Sequence, residues 1–217
     1  MQGVVFDFDG VIARSMEAHA EAYRRTLAPL GIAVSDRDVF LREGARSETI
    51  IRDLTAAGGH DLDDDEVQAL AERKQAQFGA LDAVTLYGGA AATVREVAGH
   101  VPVALVTGTR RSNLDRLVPE LLPVFTAILA QEDYSRDKPD PEPYARAAVA
   151  LDIPAAALVC VENARRGVQS ARAAGYGHIV ALTTTMRAED FDGEARADFV
   201  APNHAALLAH LRDVLSL

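Results

Sequence analysis

Apolar residues in this chain gather in two kinds of run. Short unbroken stretches, Val4-Val5-Phe6, Val101 to Val106, Ala157 to Val161 and Ile179-Val180-Ala181-Leu182, read as strands buried on both faces. Phe125 to Leu129 predicts a fifth strand. Between these runs, Ala90 to Ala98, Ser112 to Leu117, Pro141 to Leu151 and Gly167 to Ala174 show helical patterning. Strands alternating with helices predict an α/β fold with a parallel sheet covered on both faces. Ligands of such sheets bind beyond the carboxyl ends of the strands. Those ends are polar here: Asp7-Phe8-Asp9-Gly10, Thr107-Gly108-Thr109, Glu162-Asn163 and Thr183.

From residue 15 to about 85 the alternation stops. Helical patterning runs through Ala18 to Leu30, Ser35 to Arg42, Ser47 to Ala57 and Asp64 to Leu81 with almost no strand signal. The stretch is too long for a loop between two strands. It predicts a helical domain, residues 15–87, inserted after the first strand of a core made of residues 1–14 and 88–217. The acid run Asp61 to Glu66 predicts a helix start, where negative charge suits the dipole. A calcium loop is disfavoured, because its glycine and spaced oxygen ligands are missing.

Charge narrows the partners. The 32 acidic against 22 basic side chains give a net charge of −10, which argues against nucleic acid as the main partner. No apolar run approaches the ~20 residues of a membrane span, so no membrane partner is expected. The single cysteine, Cys160, excludes an internal disulfide framework and points to the cytoplasm. Only two of the basic residues, Lys74 and Lys138, are lysines. In a chain that otherwise uses arginine, these mark places where a compact ammonium serves better than a planar fork.

Asp7 and Asp9 flank Phe8 at a strand end, followed by a glycine that permits a sharp turn. Two carboxylates held close repel unless a cation or shared proton relieves them. One can act as nucleophile while its neighbour handles protons. The hydroxyl of Thr107 and the backbone around Gly108 can bind a phosphate oxygen. Lys138 sits among prolines that stiffen its segment, and its ammonium can neutralise a carboxylate and an incoming phosphoryl group. Glu162-Asn163 adds oxygen donors of the kind Mg²⁺ prefers.

Taken in order, Asp7-Phe8-Asp9-Gly10-Val11, Thr107-Gly108, Lys138-Pro139 and Glu162-Asn163 with Gly167-Val168 resemble the haloacid dehalogenase superfamily of phosphohydrolases and phosphomutases. The resemblance spans essentially the whole chain and falls in the branch with a helical cap, alongside β-phosphoglucomutases and phosphoglycolate phosphatases. It implies a Rossmann-like core. It further implies Asp7 as a nucleophile forming an aspartyl-phosphate, and Asp9 as general acid and then base. Thr107 and Lys138 would hold the phosphoryl group, while Asp7, the carbonyl of Asp9, Glu162 and Asn163 would bind Mg²⁺. Asn163 departs from the family, which usually carries a second carboxylate there. The presence of Asp9 disfavours carbon–halogen cleavage, which needs no such acid.

In the predicted cap, Ser15 and His19 lie four residues apart and are expected to face the cleft together. Arg46, in Glu43-Gly44-Ala45-Arg46, is a candidate grip for a second anionic group. Lys74 lies in a segment resembling that of β-phosphoglucomutases, where a cap histidine and lysine take part in closure over a sugar phosphate. The favoured expectation is a Mg²⁺-dependent phosphatase of a small phosphorylated metabolite, working as a monomer or small homo-oligomer. A sugar phosphomutase is the alternative, and a non-catalytic phospholigand-binding protein a third.

Overall fold

The computed structural model describes residues 1–81 and 84–217, so residues 82 and 83 of the predicted helical insert lie outside the described residues. The chain opens with β1 (Gly3–Phe6), followed by β2 (Ala13–Arg14), α1 (Met16–Leu27), α2 (Asp36–Phe40), α3 (Ser47–Ala57), α4 (Asp64–Gly79) and β3 (Thr85–Leu86). It continues through α5 (Ala90–Ala98), β4 (Val103–Val106), α6 (Arg111–Leu117), β5 (Ala127–Leu129) and α7 (Glu142–Leu151). The last elements are β6 (Leu158–Glu162), α8 (Arg165–Ala173), β7 (His178–Leu182), β8 (Phe199–Ala201) and α9 (His204–Leu215).

Six strands form one sheet in the order β5-β4-β1-β6-β7-β8, with every pairing parallel. Side chains of a strand alternate between faces, and this sheet buries both. Val4, Phe6, Leu105, Val161 and Val180 join a core beneath α5, α6 and α9. Val5, Ala104, Cys160 and Ile179 join a second core beneath α7 and α8. This is why the strands read as continuous apolar runs rather than alternating ones. The predicted fifth strand is shorter than its sequence suggests, because Leu122–Val124 takes a 3₁₀ turn and Phe125 leads into β5.

Helices α1 to α4 pack around their own apolar cluster, with Met16, Tyr23, Leu27, Val39, Ile51, Leu54, Val67 and Leu70 buried in it. Asp63 caps α4 in a reciprocal box with Glu66, so the acid run does open a helix. The two passages between sheet and insert pair with each other as a two-residue antiparallel ribbon, Ala13 opposite Leu86 and Arg14 opposite Thr85. Among the described residues no helix is long and apolar enough to cross a membrane.

Candidate active site at the strand ends

Adjacent parallel strands bring their carboxyl ends together, and β1, β4 and β6 lie side by side. Asp7 follows β1 directly and is 6% exposed. Its Oδ1 accepts a hydrogen bond from Lys138 Nζ at 2.5 Å. The same ammonium donates to Glu162 Oε1 at 2.7 Å. Tyr144 Oη donates to that oxygen at 2.8 Å, and the backbone N–H groups of Asn163 and Ala164 donate to Glu162 Oε2 at 2.9 and 3.1 Å. Glu162 is therefore held by four protein donors. Gly167 makes room for it: a Cβ there would lie 1.7 Å from Glu162 Oε1. Burial pushes the Asp7 carboxyl above the ordinary range, with Lys138 pulling the other way. Positive charge entering the cleft favours its ionised form.

Asp9 is held by the helical insert as well as by the sheet. Ser15 Oγ donates to Asp9 Oδ1 at 2.5 Å, and Thr109 Oγ1 to Asp9 Oδ2 at 2.6 Å. His19 Nε2 lies 3.3 Å from Asp9 Oδ1, and His19 Nδ1 lies 2.9 Å from Lys74 Nζ. An ammonium can only donate and a carboxylate only accept, so His19 carries its proton on Nε2. The ring stacks on Phe78 at 4.1 Å. Burial, and then Lys74, lower the affinity of His19 for a second proton. Burial likewise brings Lys74 down to about 8. Burial alone would raise Asp9, but the donors of His19, Ser15 and Thr109 hold it well below the ordinary carboxylate range.

The cavity between sheet and insert has a volume of about 80 Å³. Of the residues expected from sequence, Asp7, Asp9, His19, Lys74, Gly108, Lys138 and Glu162 line it. Ser15, Thr107, Arg46 and Asn163 do not line it. Ser15 is buried against Asp9. Thr107 is fully buried, its Oγ1 3.3 Å from Asp9 Oδ2 and accepting from Thr109 N–H at 3.0 Å. Arg46 turns to the sheet domain, its Nε 2.5 Å from Asp137 Oδ1 and a second nitrogen 2.9 Å from the Tyr134 carbonyl.

Sequence reasoning passed over Glu43 as a functional residue. It is 7% exposed and lies in the loop between α2 and α3. Its Oε1 accepts from Asn163 Nδ2 at 2.8 Å, and Thr185 Oγ1 donates to its Oε2 at 3.3 Å. Asn163 Nδ2 also reaches Thr185 Oγ1 at 2.8 Å. Both protons of the amide are thereby engaged, while Asn163 Oδ1 is buried without a partner. A buried unpartnered oxygen calls for a donor or a cation. Together with the Asp7 carboxylate and the backbone carbonyl of Asp9, it would offer the hard oxygens that suit Mg²⁺. Among the described residues no three His, Cys, Asp or Glu side chains gather as metal ligands.

A parallel sheet with an acid pair at its strand ends and a buried lysine between them, beneath a helical insert, defines an α/β fold with a candidate active site. The profile of the haloacid dehalogenase-like hydrolases matches residues 1–175. Protein CbbY of Rhodobacter capsulatus is 28% identical over 95% of each chain. Fructose-1-phosphate phosphatase YqaB of Escherichia coli is 27% identical over 80% of this chain and 92% of its own. The crystal structure of CbbY from Rhodobacter sphaeroides in complex with phosphate superposes with a TM-score of 0.77 at 24% identity, covering 100% of both chains. The chain belongs to the haloacid dehalogenase-like hydrolase family, in the branch that includes β-phosphoglucomutases. It is a phosphoric monoester hydrolase of that type.

Proposed function

We propose that this enzyme hydrolyses a small sugar phosphate with the help of Mg²⁺, passing the phosphoryl group first to Asp7 and then to water. The observation that carries the reading is the pairing of Asp7 with Lys138, beside an Asp9 held by four side-chain partners. An oxygen of Asp7 attacks phosphorus, the ester P–O bond breaks, and Asp9 gives its proton to the departing oxygen. Asp9 then takes a proton from water, whose oxygen attacks the aspartyl-phosphate and frees Asp7 and inorganic phosphate. Asp9 is ionised in the arrangement described, which suits the second step. For the first it must gain a proton, and the negative charge of a phosphate monoester beside it favours that.

Lys138 neutralises Asp7 and the transferring group together, and Gly108 offers backbone to the phosphoryl oxygens. Asp7, the backbone carbonyl of Asp9 and Asn163 would hold Mg²⁺, with Glu162 fixing Lys138 behind them. When bound, the cation supplies further charge neutralisation and alignment. The helical insert acts as a cap, with His19 and Lys74 reaching the acid from that side. Arg46 belongs to its latch rather than to substrate. The relatives named for fructose 1-phosphate and crystallised with phosphate support a sugar-phosphate substrate. The single free, buried Cys160 supports a cytoplasmic setting.

The test is phosphate release across a panel of sugar phosphates and phosphoglycolate with Mg²⁺. Wild type is expected to turn over at least one member, and Asp7→Asn none. Conversion of β-glucose 1-phosphate to its isomer without free phosphate would make the enzyme a mutase instead.

A further inference from the structure

Four carboxylates line the cavity, and three of them, Asp7, Asp9 and Glu162, stand at the ends of sheet strands. Lys138 pairs with Asp7 and Glu162, and Lys74 reaches Asp9 through His19. Glu43 differs on both counts. It comes from the helical insert, and among the described residues it has no cationic partner. Its contacts are a neutral amide and a hydroxyl. A glutamine could accept from Asn163 and donate to Thr185 in the same place, so the fold does not require the charge. A buried charge without fold-level need is costly unless a cation answers it. The unpartnered oxygen of Asn163, the residue Glu43 grips, is the other half of the same demand.

We infer that Glu43, acting through Asn163, couples the divalent-cation affinity of the strand-end site to closure of the helical insert. The inference rests on the Mg²⁺-dependent reading above. The docked loop takes up one amide proton of Asn163 through Glu43 while Thr185 of the sheet domain takes the other, which leaves the amide oxygen to a cation. Docking also adds a fourth carboxyl group to the three that the strand ends bring to this cavity. The loop seats closely: a Cβ on Gly44, whose φ is +92°, would lie 3.3 Å from Arg166 Cβ and 3.4 Å from Lys138 Cβ. Cation binding and closure then favour each other reciprocally. Glu43 is a positioning residue, since its carboxylate works through Asn163.

The experiment measures Mn²⁺ binding calorimetrically and closure by the distance between spin labels on α3 and α9. It uses the intact wild-type chain, Glu43→Gln, and Glu43→Gln combined with Asn163→Asp. Glu43→Gln is expected to fold, to bind Mn²⁺ about tenfold more weakly, and to lose the cation dependence of closure. The double variant is expected to regain affinity while its closure stays indifferent to Mn²⁺, because its carboxylate now belongs to the sheet. Equal Mn²⁺ affinity in wild type and Glu43→Gln overturns the coupling while leaving the metal reading intact. A wild type that binds no Mn²⁺ overturns both.

Discussion

Gly167 offers the sharpest test of how the site is built, because two effects of its replacement by alanine oppose each other. It is the third residue of α8 and is buried. By helix propensity alone, Gly167→Ala would stabilise by about 1 kcal/mol. The new methyl would instead lie 1.7 Å from Glu162 Oε1 and 1.9 Å from its Cδ. Glu162 must move, and with it go the bonds to Lys138, Tyr144 and two backbone N–H groups. Disrupting a buried ion pair costs about 3–5 kcal/mol. The balance is a loss of roughly 2–4 kcal/mol, or about 5–15 °C in Tm for a chain of this size. Thermal unfolding followed by circular dichroism measures it, and phosphate release reports whether Lys138 stays aligned. A Gly167→Ala protein as stable as wild type would refute the account of this strand end.

Other perturbations follow from the same contacts. Lys74, brought down to about 8 by burial, is a proton site that the unfolded chain holds more tightly than the folded one. Stability should therefore rise between pH 8 and about 10, and denaturant titrations of Lys74→Met should lack that slope. Ser15→Ala removes one of the donors that favour ionised Asp9, so the limb of the pH–rate profile governed by Asp9 should move to higher pH. Arg46→Ala breaks a partly exposed link from the insert to Asp137 and Tyr134. It should cost only about 1 kcal/mol of stability while increasing protease cleavage of the α2–α3 loop.

Much of the sheet was legible because a strand buried on both faces must be apolar throughout. Val4 to Phe6 and Leu158 to Val161 have no other reading once they stop at Asp7 and Glu162. Several elements escaped, the strands for physical reasons. The strand Phe199–Ala201 lies at the sheet edge, and two of its three residues are only partly buried. The ribbon strands β2 and β3 are two residues each and carry no period. In the site, Asp7 and Asp9 announce themselves by charge at a strand end, and Lys138 by being a lysine among prolines. Glu43 does not, since its partner Asn163 lies 120 positions away. Arg46 was noticed in the same loop for its guanidinium, yet Asp137 takes it up, a contact set by docking rather than by spacing. Ser15 and Thr109 are ordinary turn residues until folding carries them to Asp9.

The ribbon of Ala13–Arg14 against Thr85–Leu86 has a consequence for how such enzymes diversify. Chain enters and leaves the helical unit at one neck, so the ends to be rejoined are neighbours. Most of the sheet's two cores comes from its own elements, although Phe40 of the insert packs on one of them and Leu117 of α6 packs on Ala18 and Phe78. A different helical unit with adjacent termini could therefore be spliced in at this point without breaking the order of the strands that carry Asp7 and Glu162. Recombination at the neck would inherit Asp7, Lys138 and Glu162 from the sheet domain but would exchange, along with the lid, the Ser15, His19 and Lys74 set that holds Asp9.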